Sequence, residues 1–220
     1  MKILVTAFDP FGGETMNPAL EALRRLPDSM NGIRILRLEL PTVFGKSLDL
    51  LKETVEKERP DAVLCMGQAG GREGITVERV GVNCMNASIP DNAGCQPKGE
   101  KIREEGPAER LATLPIREIV EAIQAAGLPA SVSDSAGTFV CNHLLYGLLD
   151  FLAECHSDIL GGFIHVPYAT EQAAGKEGNP PSMDIAEMRD GIMAALRAIN
   201  SLGISTGSRT STALKPSATR

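Results

Sequence analysis

Residues Ala62-Val63-Leu64-Cys65-Met66 form an unbroken apolar run of strand length between Asp61 and Gly67. A half-buried strand alternates apolar and polar residues. A run that is apolar on both faces belongs in the middle of a parallel sheet covered by helices on either side. The sequence before it supplies the other parts. Lys2 to Phe8 reads as a buried first strand. Asn17-Pro18 opens a helix through about Leu26, Asn being a good N-cap and Pro being tolerated in the first turn. Ile33 to Leu40 has the pattern of a strand with one wetter face, and Gly45 to Glu58 carries Leu48, Leu51 and Val55 at helical spacing until Pro60 ends it. The order β-α-β-α-β predicts an α/β fold, with a mixed, mostly parallel central sheet between helices on both faces.

Further along, Ile75 to Cys84 reads as one more strand, and residues 85–114, dense in Pro, Gly, Asn and charge, as a long excursion with little regular structure. Pro115 to Ala126 reads as a helix closed by Gly127, Ala130 to Ser133 as a short strand, and Cys141 to Glu154 as a helix. Ile159 to Tyr168 reads as a strand and Met183 to Leu202 as a last amphipathic helix ending near Gly203. The Ser- and Thr-rich tail, residues 204–220, is expected to be disordered, leaving a single domain over residues 1–203.

A formal charge of −6 disfavours nucleic acid and anionic membranes as partners, and no apolar run approaches the roughly 20 residues that span a bilayer. The first residues are too short and strand-like for a signal peptide. Five cysteines (Cys65, Cys84, Cys95, Cys141 and Cys155), with no CxxC spacing, suit reduced thiols in a cytoplasm better than a disulfide framework or a metal site. No metal and no cofactor is expected, since Gly12-Gly13 is followed by Glu14 and matches no phosphate-loop pattern.

Cys141 stands where the β-prone Thr138-Phe139-Val140 meets the helical Cys141–Leu152 stretch. A thiol on a helix's first turn lies among unpaired N–H groups at the positive end of the helix dipole, which favours the nucleophilic thiolate. Taken alone, it reads equally as a small buried hydrophobe. A base is available in His165, at the C-terminal end of the strand Gly161–Tyr168, where parallel sheets place their sites. His143, two residues past Cys141, does not face it along a helix, and His156 reads as a solvated loop residue. Glu78, after the glycine-rich Gln68–Gly74 loop, is the group expected to orient the histidine. Asp91, in a Pro-Asp-Asn turn formula, competes for that role. Phe8, Phe11 and Phe139 lie at loop or strand ends beside these residues, as core filling or as flat walls for a small uncharged ring.

Five stretches taken together resemble pyroglutamyl-peptidase I, the pyrrolidone-carboxylate peptidases. They are Phe8-Asp9-Pro10-Phe11-Gly12-Gly13, Gly67 to Arg72, Ile75 to Arg79, Ser135 to Asn142, and Gly162 to Tyr168. They come in the right order, and the resemblance spans about residues 1–202. It implies a cysteine peptidase that removes N-terminal pyroglutamate from peptides through a thioester, with a triad of Glu78, Cys141 and His165. It also implies a pocket of Phe8, Phe11, Asn17, Gln68, Phe139 and Val140, and assembly as a homotetramer. One departure is clear. The family usually reads Arg-Ile-Pro-Asp-Asn where this chain has Ser88-Ile89-Pro90-Asp91-Asn92, which alters the electrostatics around the site. The competing expectations are a phosphorylase- or transferase-type α/β enzyme, and a catalytically impaired binder of pyroglutamyl ends.

Overall fold

A computed structural model describes residues 1–206, with side chains through Ser201. The expectation for residues 207–220 of the tail lies outside the described residues. Chain order begins with β1 (Lys2–Phe8), α1 (Pro18–Arg24), β2 (Ser29–Met30), β3 (Ile33–Leu40), α2 (Lys46–Glu58) and β4 (Ala62–Gln68). It continues through β5 (Ile75–Glu78), β6 (Val80–Val82), β7 (Met85–Asn86), β8 (Lys98–Glu100), β9 (Glu109–Leu111), α3 (Ile116–Ala125) and β10 (Ala130–Ser133). The last elements are α4 (Val140–Cys155), β11 (Leu160–Val166), β12 (Tyr168–Ala169), α5 (Thr170–Ala173), β13 (Ser182–Met183) and α6 (Ile185–Thr206).

Seven strands form one sheet in the order β10-β5-β11-β4-β1-β3-β2. The run β11-β4-β1-β3 is parallel, as the apolar β4 predicts, whereas β5 pairs antiparallel with β11 and carries β10 parallel to itself. The sheet is therefore mixed and mostly parallel. Strand alternation divides the core in two. Ile3, Val5, Leu64, Met66, Val77 and Ile164 pack with α1, α3 and α6, while Leu4, Phe8, Val63, Cys65 and Phe163 pack with α2 and α4. Asn17 caps α1 as expected, its Oδ1 accepting from the Ala19 N–H at 3.1 Å.

Four expectations are corrected. The strand expected over residues 75–84 breaks at Arg79. β5 belongs to the main sheet, but β6 leaves it to pair with β9, and Asn142 holds it with an N–H···O bond from Val82 at 2.9 Å and another back to the Val82 carbonyl at 2.9 Å. The excursion 85–114 is more ordered than its composition suggests, with β7 paired to β8 and a Tyr146 hydroxyl bonded to the Pro107 carbonyl. The helix expected from Cys141 begins one residue earlier, at Val140, whose side chain is fully buried. The last helix starts two residues later than expected, because Met183 pairs with Ala169 in a small sheet, and runs past Gly203 to Thr206.

Candidate active site

Register and alternation bring the chemistry to one face. Val63 and Cys65 of β4 point toward α4, so Gly67 continues that row, and on β11 Phe163 and His165 follow the same rule. On β5, Ile75 and Val77 pack into the opposite core, which turns Thr76 and Glu78 to the α4 side. His165 is the register partner of Gly67 on one flank and Thr76 on the other, and Phe163 that of Glu78. Above this patch sits α4, with Cys141 in its first turn. A methyl group on Gly67 would approach the Cys141 sulfur to 2.9 Å and the Phe163 ring to 3.0 Å. The glycine is the gap through which the sulfur reaches the sheet beside His165.

Glu78 is wholly buried, and its Oε1 lies 2.8 Å from Nδ1 of His165 and 2.6 Å from Nη1 of Arg72. Burial pushes the carboxyl's pKa up, but the His165 bond, the nearby Ser133 hydroxyl and the Arg72 charge outweigh it and hold it below the ordinary value. Burial also lowers the pKa of His165 below its ordinary value, against the opposing pull of Glu78. With Nδ1 turned to a carboxylate, the ring proton belongs on Nδ1, and Nε2 is left as the basic nitrogen. Glu78 is the acid in hydrogen-bond contact with His165. The Asp91 carboxylate instead accepts the backbone N–H groups of Phe44, Ala93 and Cys95 at 2.8–2.9 Å and anchors a turn.

Taken as a whole residue, Cys141 is only partly buried. Its surroundings nevertheless push the thiol's pKa up to about 12, chiefly through burial and then through the Glu78 charge, with Arg72 opposing. Burial thus works against the helix dipole and favours the neutral thiol over the thiolate that the dipole alone would suggest. The first turn still leaves the N–H groups of Val140, Cys141 and Asn142 without intrahelical acceptors, since His143 is the first to bond back, to the Phe139 carbonyl.

The pocket residues divide. Phe11 and Phe139 are half-buried with ring centroids 6.0 Å apart, and Phe44, which sequence reasoning missed, meets Phe139 edge-on at 5.5 Å. Phe8 and Val140 are fully buried in the α4-side core, Phe8 6.5 Å from Phe163, so their side chains support the site from behind. Asn17 donates from Nδ2 to the Asp9 carbonyl at 3.3 Å and pins the loop that carries Phe11. The Gln68 side chain points toward α5, its Oε1 accepting from Gln172 at 3.4 Å, while its backbone adjoins Gly67. Ser88 is exposed, with its carbonyl accepting from Gln96 at 2.9 Å. His156 is not a loop residue in solvent. It is buried at the end of α4, between Arg59 at 2.6 Å and Glu56 at 2.8 Å. Two further residues had no signal beyond membership of the matched stretches: Arg72, and Asn142, which ties the nucleophile's helix to β6. Among the described residues, no group of three or more His, Cys, Asp or Glu side chains is disposed to hold a metal ion.

Comparison with known proteins places these residues in a family. The sequence model described as pyroglutamyl peptidase matches residues 1–201. The pyrrolidone-carboxylate peptidase of Lactobacillus johnsonii is 51% identical over 199 residues, covering 90% of this chain and 92% of that protein. That of Streptococcus pyogenes serotype M1 is 52% identical over 199 residues, with the same coverage of 90% and 92%. Among solved structures, pyroglutamyl peptidase I from Bacillus amyloliquefaciens superimposes with a TM-score of 0.87 at 49% identity, covering 90% of this chain and 94% of that one. A mutant pyrrolidone carboxyl peptidase from the hyperthermophile Pyrococcus furiosus does so with a TM-score of 0.88 at 37% identity, covering 92% and 99%.

Proposed function

We infer the chemistry from kinship: this chain belongs to the pyroglutamyl peptidase family, cysteine peptidases that remove N-terminal pyroglutamate from peptides. The roles of its residues follow as our reading, and the observation that carries it is the buried 2.8 Å Glu78–His165 bond on the face where the Cys141 sulfur rests over Gly67.

Cys141 attacks the carbonyl that joins pyroglutamate to the next residue. With burial favouring the neutral thiol, His165 Nε2 takes its proton as the S–C bond forms, and the imidazolium develops in that step. Glu78 holds the ring and balances that charge at the moment it develops. The tetrahedral oxyanion is received by first-turn N–H groups of α4, each such donor being worth about 3 kcal/mol in comparable sites. Collapse to the thioester expels the peptide amine, which takes the proton from His165. Water, deprotonated by the same nitrogen, then adds to the thioester carbonyl; the C–S bond breaks, the Cys141 sulfur takes the proton back from His165, and pyroglutamate leaves.

Selectivity follows from what the slot lacks. The lactam ring is flat and uncharged, and it suits the apolar wall that Phe11 and Phe139 form together. An ordinary N-terminus would bring an ammonium group into that apolar slot at a cost of several kcal/mol. The substrate class is pyroglutamyl peptides. We extend the reading to a homotetramer working in the cytoplasm without metal or cofactor, folded as one domain through residue 203. The exposed apolar Leu111 and Val132 support assembly, and no described helix is long and apolar enough to cross a membrane. Hydrolysis of a pyroglutamyl-anilide by the wild type, and its loss in Cys141→Ala, tests the assignment, and continued turnover by that variant refutes it.

A further inference from the structure

Arg72 is a charged side chain, three-quarters buried, that the mechanism above leaves without a role. Its guanidinium forks. Nη1 lies 2.6 Å from Glu78 Oε1 and also bonds Thr76 Oγ1, while Nη2 donates to the Ser135 carbonyl at 3.0 Å. Ser135 belongs to the loop between β10 and α4 that delivers Cys141. The loop from Ala69 to Gly74, which turns back through a positive φ at Gly71, brings the arginine alongside the two β5 residues on the α4 face.

We propose that Arg72 is a positioning residue of the active site, clamping the Glu78 carboxylate and the loop before Cys141 in a single fork. This rests on the triad reading above and adds a fourth member to it. Three observations carry it. Both of these bonds to the carboxylate converge on Oε1, while Oε2 is buried and has no hydrogen-bond partner, so Arg72 and His165 together hold that oxygen in place. The Ser133 hydroxyl, which lies near the carboxylate, donates to the same Ser135 carbonyl that Arg72 Nη2 holds, at 3.2 Å. The Arg72 guanidinium, itself three-quarters buried, also sets a counter-charge directly against a carboxylate that has no exposed surface. Lysine could supply the charge, but it cannot span both acceptors in a fixed plane.

The charged and titratable groups around His165 are Glu78, Arg72 and the two thiols of Cys141 and Cys65. Glu78 favours the imidazolium and Arg72 opposes it. Removing Arg72 therefore raises the pH at which the base becomes neutral. The test compares wild type, Arg72→Gln and Arg72→Lys on the pyroglutamyl-anilide across pH, with thermal melts as a check on folding. Arg72→Gln is expected to lose about 100-fold in kcat, the scale of an ångström of misplacement. Its KM should change little, and the acidic limb of its kcat/KM profile should move to higher pH. Arg72→Lys is expected to keep the wild-type limb and still lose rate. In a Glu78→Gln background, Arg72→Gln should add almost nothing, because the two act as one unit. An Arg72→Gln enzyme within about threefold of wild type, or one that loses rate with its limb unmoved, overturns the proposal. If Arg72→Gln does not fold, Arg72→Lys decides by its rate alone, wild-type kcat counting against. The two readings fail separately. An active Cys141→Ala removes the triad, whereas a dead Cys141→Ala beside a fully active Arg72→Gln overturns the clamp alone.

Discussion

Oε1 of Glu78 lies 2.8 Å from Nδ1 of His165, and the two side chains are 0% and 3% exposed. At that depth the bond fixes both the tautomer and the ring's aim. Glu78→Gln keeps the shape but can offer Nδ1 a donor in place of an acceptor, which would put the proton on the wrong nitrogen. The expected loss in kcat is up to about 10⁴-fold, the scale of the matching change in serine-protease triads. The pH profile moves with it. Burial lowers the pKa of His165 and Glu78 raises it, so removing the carboxylate lets burial act unopposed and shifts the acidic limb to lower pH. A limb that stays in place while kcat falls would show that Glu78 does not set the ionisation of His165.

Cys141 tests the resting state. A preformed thiolate–imidazolium pair would be alkylated at a rate that is already flat near neutrality. With the thiol's pKa pushed up to about 12 by burial, the thiolate fraction in the free enzyme instead rises about tenfold per pH unit. Inactivation by iodoacetamide in the absence of substrate should therefore keep accelerating from pH 7 to pH 9. A plateau across that range would restore the ion pair.

The elements most legible in the sequence are those whose signal is local. β3 spans the residues that its pattern marks, and the apolar β4 pairs parallel on both sides as its lack of alternation requires. What escaped is set by partners distant in sequence. β6 leaves the sheet because Asn142, some sixty residues on, claims the Val82 backbone, and β7 is ordered by β8 across a turn that Asp91 anchors. The β-propensity of Thr138-Phe139-Val140 lost to packing, since Val140 gains full burial by entering α4. His165 stood out because the apolar run before it marks a strand, whereas Glu78 was picked for its place after the glycine-rich loop, the end of β5 at Arg79 having gone unread. Arg72 and Phe44 come from loops, which carry no period, and their contacts exist only once the sheet has assembled.

His143 links stability to acid. It is buried against Phe44, with its Nδ1 unpartnered, and burial, helped by Lys52, pushes its pKa down to about 4. The unfolded chain binds this proton near 6.5, before the folded one does. The stability it confers is complete above that value and is lost as the pH falls toward 4, amounting to about 3 kcal/mol across the window. His143→Leu removes this term. Urea midpoints of wild type and variant should diverge as the pH is lowered from 7 to 4.5, the variant losing less. Parallel losses would mean that His143 is protonated in the folded protein without cost.

Gly67 is a steric test of where the sulfur must rest. Its backbone conformation is ordinary strand, so alanine brings no dihedral strain. The added methyl would stand 2.9 Å from Sγ and 3.0 Å from the Phe163 ring, closer than carbon tolerates. Something must give. Phe163 is packed in the α4-side core between Phe8 and His165, whereas Sγ ends a short side chain that can turn about one bond on a partly exposed residue. The sulfur is therefore the atom that moves, away from His165. Because positioning within about an ångström is worth about 100-fold, Gly67→Ala should lose at least that much in kcat on a pyroglutamyl-anilide. It should unfold within a few degrees of the wild type, because a thiol that rotates outward leaves the core intact. A variant with unchanged turnover would mean that the sulfur reaches the substrate from some position other than the one above Gly67. A variant that loses both activity and much of its melting temperature would place the strain on Phe163 instead.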